Sequence, residues 1–114
     1  DPERVMFISF SFHICEMMAE KLPGFTVQYL GGEKSPKKVK AAGINGIDYN
    51  YNILKLKKKW ISMAHKMDMS TNAWTVNKEN DMKTMFELGV DYLTTDQPLE
   101  ARDLMKEMGM TEIR

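Results

Sequence analysis

Apolar positions along this chain alternate between two rhythms. Short runs rich in β-branched and aromatic residues stand at Val5–Phe10, Phe25–Leu30, Ile47–Asn50, Asn72–Val76 and Val90–Thr94, and they predict five strands. The first reads as a buried strand. Between the runs the apolar residues recur at helical spacing. Cys15, Met18, Ala19 and Leu22 form one helical face, stopped by Pro23-Gly24. Ser35-Pro36 has the residue types of an N-cap and first helical position, and that short helix runs to Ala42 and closes at Gly43. Leu56, Trp60, Met63, Ala64 and Met67 make the stripe of a longer helix with lysines mostly around it. Asn77 is placed to cap a helix carrying Met82, Met85 and Phe86 inward, closed by Gly89. Asp96 is placed to cap a last helix whose stripe is Ala101, Leu104, Met105 and Met108, ending at Gly109.

Strand and helix thus alternate five times, which predicts parallel strands joined by right-handed crossovers. A chain of 114 residues fits one domain. On periodicity alone a small open doubly wound sheet fits that length, whereas a closed eight-stranded barrel needs about 200 residues or more. Hydrophobic residues at 43% supply a core. Sixteen basic and sixteen acidic residues leave a net charge of zero, which argues against a nucleic-acid partner; the lysines of 34–40 and 55–59 read as solvated helix faces. One cysteine, Cys15, excludes an internal disulfide and a Cys-rich zinc site, and its place on the apolar stripe makes it a buried, inert thiol. No apolar run is long enough for a transmembrane segment. Asp1-Pro2-Glu3-Arg4 is unlike a signal peptide, and the missing initiator Met suggests a processed or truncated end. The localisation stays open between cytoplasmic and periplasmic or secreted.

Reactive groups in parallel α/β folds gather at the C-terminal ends of strands. The candidates there are Ser9-Phe10, Tyr29, Asp48-Tyr49-Asn50, Trp74 with Asn77, and Thr94-Thr95-Asp96. Asp48 and Asn50 read either as strand-end groups facing the cleft or, more weightily, as solvated loop residues, Asp96 as a helix cap rather than a metal ligand, and His65 as structural. His13 opens a helix just past Ser9-Phe10. The methionines pair at helical spacing and read as packing, not as a copper site. A Gly-rich phosphate loop, a metal-spaced histidine pair and a nucleophile elbow are not among the motifs of the sequence.

Four of these segments carry a resemblance. Trp74-Thr75-Val76-Asn77, the stretch Gly89 to Pro98 with its Thr95-Asp96-Gln97-Pro98, the strand ending Ile8-Ser9-Phe10, and Ala64-His65 together resemble, in order and spacing, the later part of the glycerophosphodiester phosphodiesterase family. The resemblance implies an α/β fold: the C-terminal part of a TIM (β/α)8 barrel of the PLC-like phosphodiesterase type, about five β/α units, with residues 1–114 as one piece of one domain. It implies metal-dependent hydrolysis of glycerophosphodiesters to glycerol 3-phosphate and an alcohol, with a divalent cation, Ca or Mg, as cofactor. The family's His-Arg, Glu-x-Asp, second histidine and Glu-x-Lys all precede its Ser-Phe strand, and as strand-end motifs this sequence does not carry them. The residues carried over are therefore substrate-binding ones, Ser9, Phe10 and Trp74, with no catalytic or metal residue in this chain. The expected partners are the missing N-terminal half of the barrel, or a second copy joined through the open edges Val5–Phe10 and Val90–Thr94, besides the small glycerophosphodiester. Two departures stand out: His13 lies where an acidic residue is frequent, and Asp68 stands where a Gly commonly closes the helix before the Trp-Thr-Val-Asn strand. The alternative is a free-standing small α/β binding or interaction domain without catalysis.

Overall fold

Five strands pair in parallel and in chain order in a computed structural model that describes residues 5–110. They are β1 (Met6–Ser9), β2 (Thr26–Tyr29), β3 (Gly46–Asn50), β4 (Ser70–Trp74) and β5 (Tyr92–Leu93). The helices are α1 (Phe12–Lys21), α2 (Pro36–Ala41), α3 (Tyr51–Leu56), α4 (Lys59–Lys66), α5 (Glu79–Leu88) and α6 (Pro98–Glu107). The opening Asp1-Pro2-Glu3-Arg4 lies outside the described residues.

The strand order β1-β2-β3-β4-β5 settles the architecture. Right-handed crossovers that always step in one direction put every connecting helix on the same face of the sheet. A doubly wound sheet would need the order to reverse partway. Burial agrees. Val27, Tyr29, Ile47, Tyr49 and Ala73 alternate onto one face and are buried with Cys15, Val39, Leu54, Ile61, Ala64, Met82 and Met85 from the helices. The register puts Ile8, Gln28, Asp48, Asn72, Trp74 and Tyr92 on the other face, which no helix covers. The open-sheet expectation from periodicity gives way to a singly wound, curved sheet of the kind that closes into a barrel.

Caps and turns follow local chemistry in part. Ser11 Oγ accepts from the Ile14 amide at 3.2 Å and Ser35 Oγ from the Lys38 amide at 3.4 Å, with Pro36 opening α2. Asn50, expected in a loop, ends β3 and caps α3 through Oδ1 to the Asn52 amide at 2.9 Å. Asp68 takes the left-handed conformation at φ 56°, doing the work of a glycine between α4 and β4.

Other expectations are corrected. The helix through Leu56–Met67 is two helices, because Lys57 leaves helical geometry at φ −107°, ψ 60°. Leu56 then ends α3 and is 84% exposed, while Ile61 and Ala64 carry the buried face of α4. The N-caps of α5 and α6 are Lys78 and Gln97, not Asn77 and Asp96. β1 is not buried: Val5, Met6 and Ile8 are exposed because it is an edge strand with one uncovered face.

The uncovered face is polar and bridged. Gln28 Nε2 donates to Ser70 Oγ at 2.8 Å, reaching from β2 to β4 over Gly46 of β3. Only glycine fits there: a Cβ would stand 2.3 Å from Ser70 Oγ and 2.7 Å from Gln28 Cγ. Asp48, read from sequence as a solvated loop residue, is instead 4% exposed within β3, and its Oδ1 has no hydrogen-bond partner, nor has Gln28 Oε1. Burial pushes the Asp48 carboxyl up to about 6.

Two stability changes follow. Asp68→Gly should raise stability by about 0.5–1 kcal/mol by relieving the left-handed backbone, read as a higher melting temperature than the parent at equal concentration. For Asp48, the folded state holds its proton more tightly than the unfolded chain does. Its contribution is therefore full below about pH 4 and is lost as pH rises through about 6. Asp48→Asn should be more stable than the parent at pH 7.5, by up to about 3 kcal/mol, and the gap should close below pH 4 in melts across that range.

Candidate active site

Phe10 and Trp74 lie at the C-terminal ends of β1 and β4, which are three strand spacings apart, about 14 Å on a flat sheet. Their rings nevertheless meet edge to face, centroids 6.0 Å apart and planes at 87°. The side chains reach each other across the concave, uncovered face and span the ends of β2 and β3 between them. Trp74 is held in place: its Nε1 donates to the Asp48 carbonyl at 2.7 Å. Phe10 is 65% exposed, so the pair offers an open aromatic surface at the end of the sheet where parallel α/β folds bind ligands.

Ser9 stands beside Phe10 but turns toward the helix side. Its Oγ accepts from the Ser11 amide at 3.0 Å, which shapes the entry into α1. Tyr29 also faces the helices and not the cleft. Its hydroxyl binds the Glu33 carboxylate, and burial with that bond pushes its pKa up to about 12. Tyr49 donates to the Lys34 carbonyl at 2.6 Å, and burial raises its pKa as well. Cys15 is fully buried, and burial raises its thiol pKa, which fits the inert role expected of it.

Two of the segments that carry the sequence resemblance touch each other. Asn77 Oδ1 accepts from the Asp96 amide at 2.8 Å and from Thr95 Oγ1 at 3.2 Å, while Asn77 Nδ2 donates to Asp96 Oδ2 at 3.1 Å. Both residues are spent on bracing the loop after β4 to the loop after β5, the physical reason neither serves as a helix cap. Asp96 is thereby held in a hydrogen-bonded brace with Asn77.

His65 belongs to the opposite end of the sheet. Its Nε2 lies 3.0 Å from Asp91 Oδ2, and that same oxygen accepts from the Thr71 amide at 2.8 Å and from Thr71 Oγ1 at 3.0 Å. The cluster ties the end of α4 to the starts of β4 and β5. Among the described residues no three His, Cys, Asp or Glu side chains converge to hold a metal ion. The residue that sequence reasoning underrated is Asp48. The signal was the alternation Ile47-Asp48-Tyr49-Asn50, which a parallel strand covered on both faces would not show.

A cavity of about 400 Å³ opens elsewhere, between β5, α5 and α6, lined by Phe86, Val90, Leu93, Leu99 and Met105 among others. It lies along the unpaired edge of β5, away from Phe10 and Trp74, and marks an open seam.

The chain compares closely with solved structures. A glycerophosphodiester phosphodiesterase from Parabacteroides distasonis is 33% identical, superposes with a TM-score of 0.91, and matches 96% of this chain and 46% of its own. A candidate glycerophosphoryl diester phosphodiesterase from Silicibacter pomeroyi is 24% identical with a TM-score of 0.83, over 96% of this chain and 40% of that one. A phosphodiesterase from Oleispira antarctica, solved with the product sn-glycerol-3-phosphate, shares the fold at 15% identity and a TM-score of 0.69, over 89% and 41%. Among curated proteins none matches the chain. The chain thus spans less than half the length of these solved relatives, and its sheet is part of a (β/α)8 barrel. The model of the glycerophosphoryl diester phosphodiesterase family matches residues 1–100, and the chain belongs to that family.

Proposed function

We propose that residues 1–114 form the C-terminal part of a barrel domain that hydrolyses glycerophosphodiesters to glycerol 3-phosphate and an alcohol. The observation that carries this is the Phe10–Trp74 pair, standing on the concave face at the C-terminal ends of its strands in a chain of this family. The Oleispira relative, bound to sn-glycerol-3-phosphate, supports the substrate class. In this reading Phe10 and Trp74 form the apolar wall against the glycerol or alcohol carbon skeleton. Trp74 is kept in one orientation by the Asp48 carbonyl, and Ser9 sets the turn that presents Phe10.

The divalent cation that the family resemblance implies, Ca or Mg, would neutralise charge at the phosphate. In this reading the metal ligands and the acid–base groups come, as the resemblance implies, from β/α units outside this chain. Five units are here, and a barrel of eight needs three more. A second copy would bring ten strands to a seam that closes at eight, which favours the complementary part of the barrel over self-association.

The purified 114-residue chain should therefore show no turnover of a glycerophosphodiester with Ca2+ or Mg2+; measurable metal-dependent turnover would overturn the assignment. In a barrel completed by the remaining β/α units, Trp74→Ala and Phe10→Ala should each raise KM by about 5–20-fold while kcat changes less. An unchanged KM in both variants would remove them from the substrate wall. A stable monomer of the 114-residue chain with a cooperative melt, seen by light scattering, would show that it needs no complement.

A further inference from the structure

The net charge of zero conceals a strong separation. Residues 34–66 carry nine lysines, no arginine, and one acidic residue, Asp48, which is buried on the concave side. The fold gathers five of these lysines, while Lys55 pairs with Asp81 of α5 at 2.9 Å and Lys40 and Lys66 lie in the last turns of their helices. α2 packs against α4 on the convex side of the sheet, and each helix runs back from the C-terminal rim of the strands, so their first turns stand side by side. Lys37, Lys38, Lys57, Lys58 and Lys59 are exposed there. Neither helix has an acidic residue in its first turn, and α4 begins on Lys58-Lys59 with no side-chain cap. A helix N-terminus ordinarily favours carboxylates and disfavours cations, so local helix stability does not account for this placement.

A second feature sits inside the basic cluster. Leu56 is 84% exposed, the most exposed of the large hydrophobic residues in the described chain, and it projects from the break between α3 and α4 directly before Lys57-Lys58-Lys59. An apolar tip beside a run of exposed lysines is the arrangement that lies on a membrane interface, the lysines on anionic headgroups and the leucine in the acyl boundary. Nucleic acid fits less well: there is no arginine fork for phosphates, and Trp60, the aromatic of the cluster, is half-buried against Tyr49 rather than free to stack. The surface also stays open when a barrel is completed. α2 and α4 cover the middle strands, whereas added units would join at the β1 and β5 edges.

We propose that the α2–α4 face, with Leu56 at its tip, is a docking surface for an anionic lipid membrane. The site is separate from the Phe10–Trp74 cleft and holds whether or not the cleft is catalytic. The test is co-sedimentation of the 114-residue chain with phosphatidylcholine vesicles containing 30% phosphatidylserine, against pure phosphatidylcholine vesicles, at low salt. Binding to the anionic vesicles only, reversed by 0.5 M NaCl, is expected. Replacing Lys57, Lys58 and Lys59 together by Gln should lower the partition coefficient on the order of a hundredfold. Leu56→Ser should lower it about tenfold. Circular dichroism checks that these surface variants fold, and Lys37→Gln with Lys38→Gln on α2 provides an independent variant if the triple one does not. No binding to the anionic vesicles, equal binding to both vesicle types, or lysine variants that bind as the parent does would each overturn the proposal. So would lysine-dependent binding to a 20-nucleotide oligomer in place of vesicles.

Discussion

Each crossover in this chain steps the same way across the sheet, and the rest of the structure follows from that constraint. With strands in the order β1-β2-β3-β4-β5 and right-handed connections, the helices share one face and leave the other without a layer. A doubly wound sheet buries both faces under helices and carries apolar residues on both. Here the helix face holds Val27, Ile47, Tyr49 and Ala73, while the opposite face holds Gln28, Asp48, Asn50 and Asn72. In this chain the sheet curls over that face, which also carries Ile8, Trp74 and Tyr92. The curl brings Phe10 and Trp74 into contact across three strand spacings, and so makes a cleft from residues far apart along the chain.

The same constraint explains what was legible in the sequence. The five strands and their helices are visible because each has its own apolar rhythm and its own stops, and the left-handed turn at Asp68 was expected from its place before the Trp-Thr-Val-Asn strand. The choice between open sheet and barrel was also written there, in the alternation Gln28-Tyr29 and Asp48-Tyr49, but runs of four or five residues are short enough to pass for continuously apolar strands. The caps were misread for a different reason. Asn77 and Asp96 have the right chemistry to cap α5 and α6, yet each is captured by the other across two loops. Competition between a local and a tertiary partner for one side chain is not visible in a local pattern. Leu56 fits the helical stripe by spacing, and only the break at Lys57 takes it off the core.

Of the candidate site, the aromatic pair was accessible through family resemblance and the buried carboxyl was not. Asp48 sits one register step below Asn50 and Trp74, with Gln28 and Ser70 bridged over Gly46 beside it. Two unpartnered buried acceptors on one face, Asp48 Oδ1 and Gln28 Oε1, are costly in a sheet that ends there. They are far less anomalous in the interior of a barrel, where layers of inward side chains from several strands meet. The uncovered polar face and the open β1 and β5 edges are thus two consequences of the same incomplete closure.

Charge is distributed by the same geometry. The lysine excess lies in residues 34–66, with five of the nine lysines on α2 and α4, and the concave face carries a carboxyl that burial has driven toward neutrality. An anionic ligand entering the concave side therefore meets little opposing charge from Asp48 below about pH 6, and an anionic surface on the convex side meets lysines at the starts of α2 and α4, whose first turns carry no acidic residue, the nearby Lys55 being paired with Asp81. Because α2 and α4 stand two strands away from either open edge, completing the barrel would change the first environment and leave the second as it is. The chemistry of the cleft is therefore conditional on the rest of the barrel, whereas the basic face is a property that this chain holds by itself.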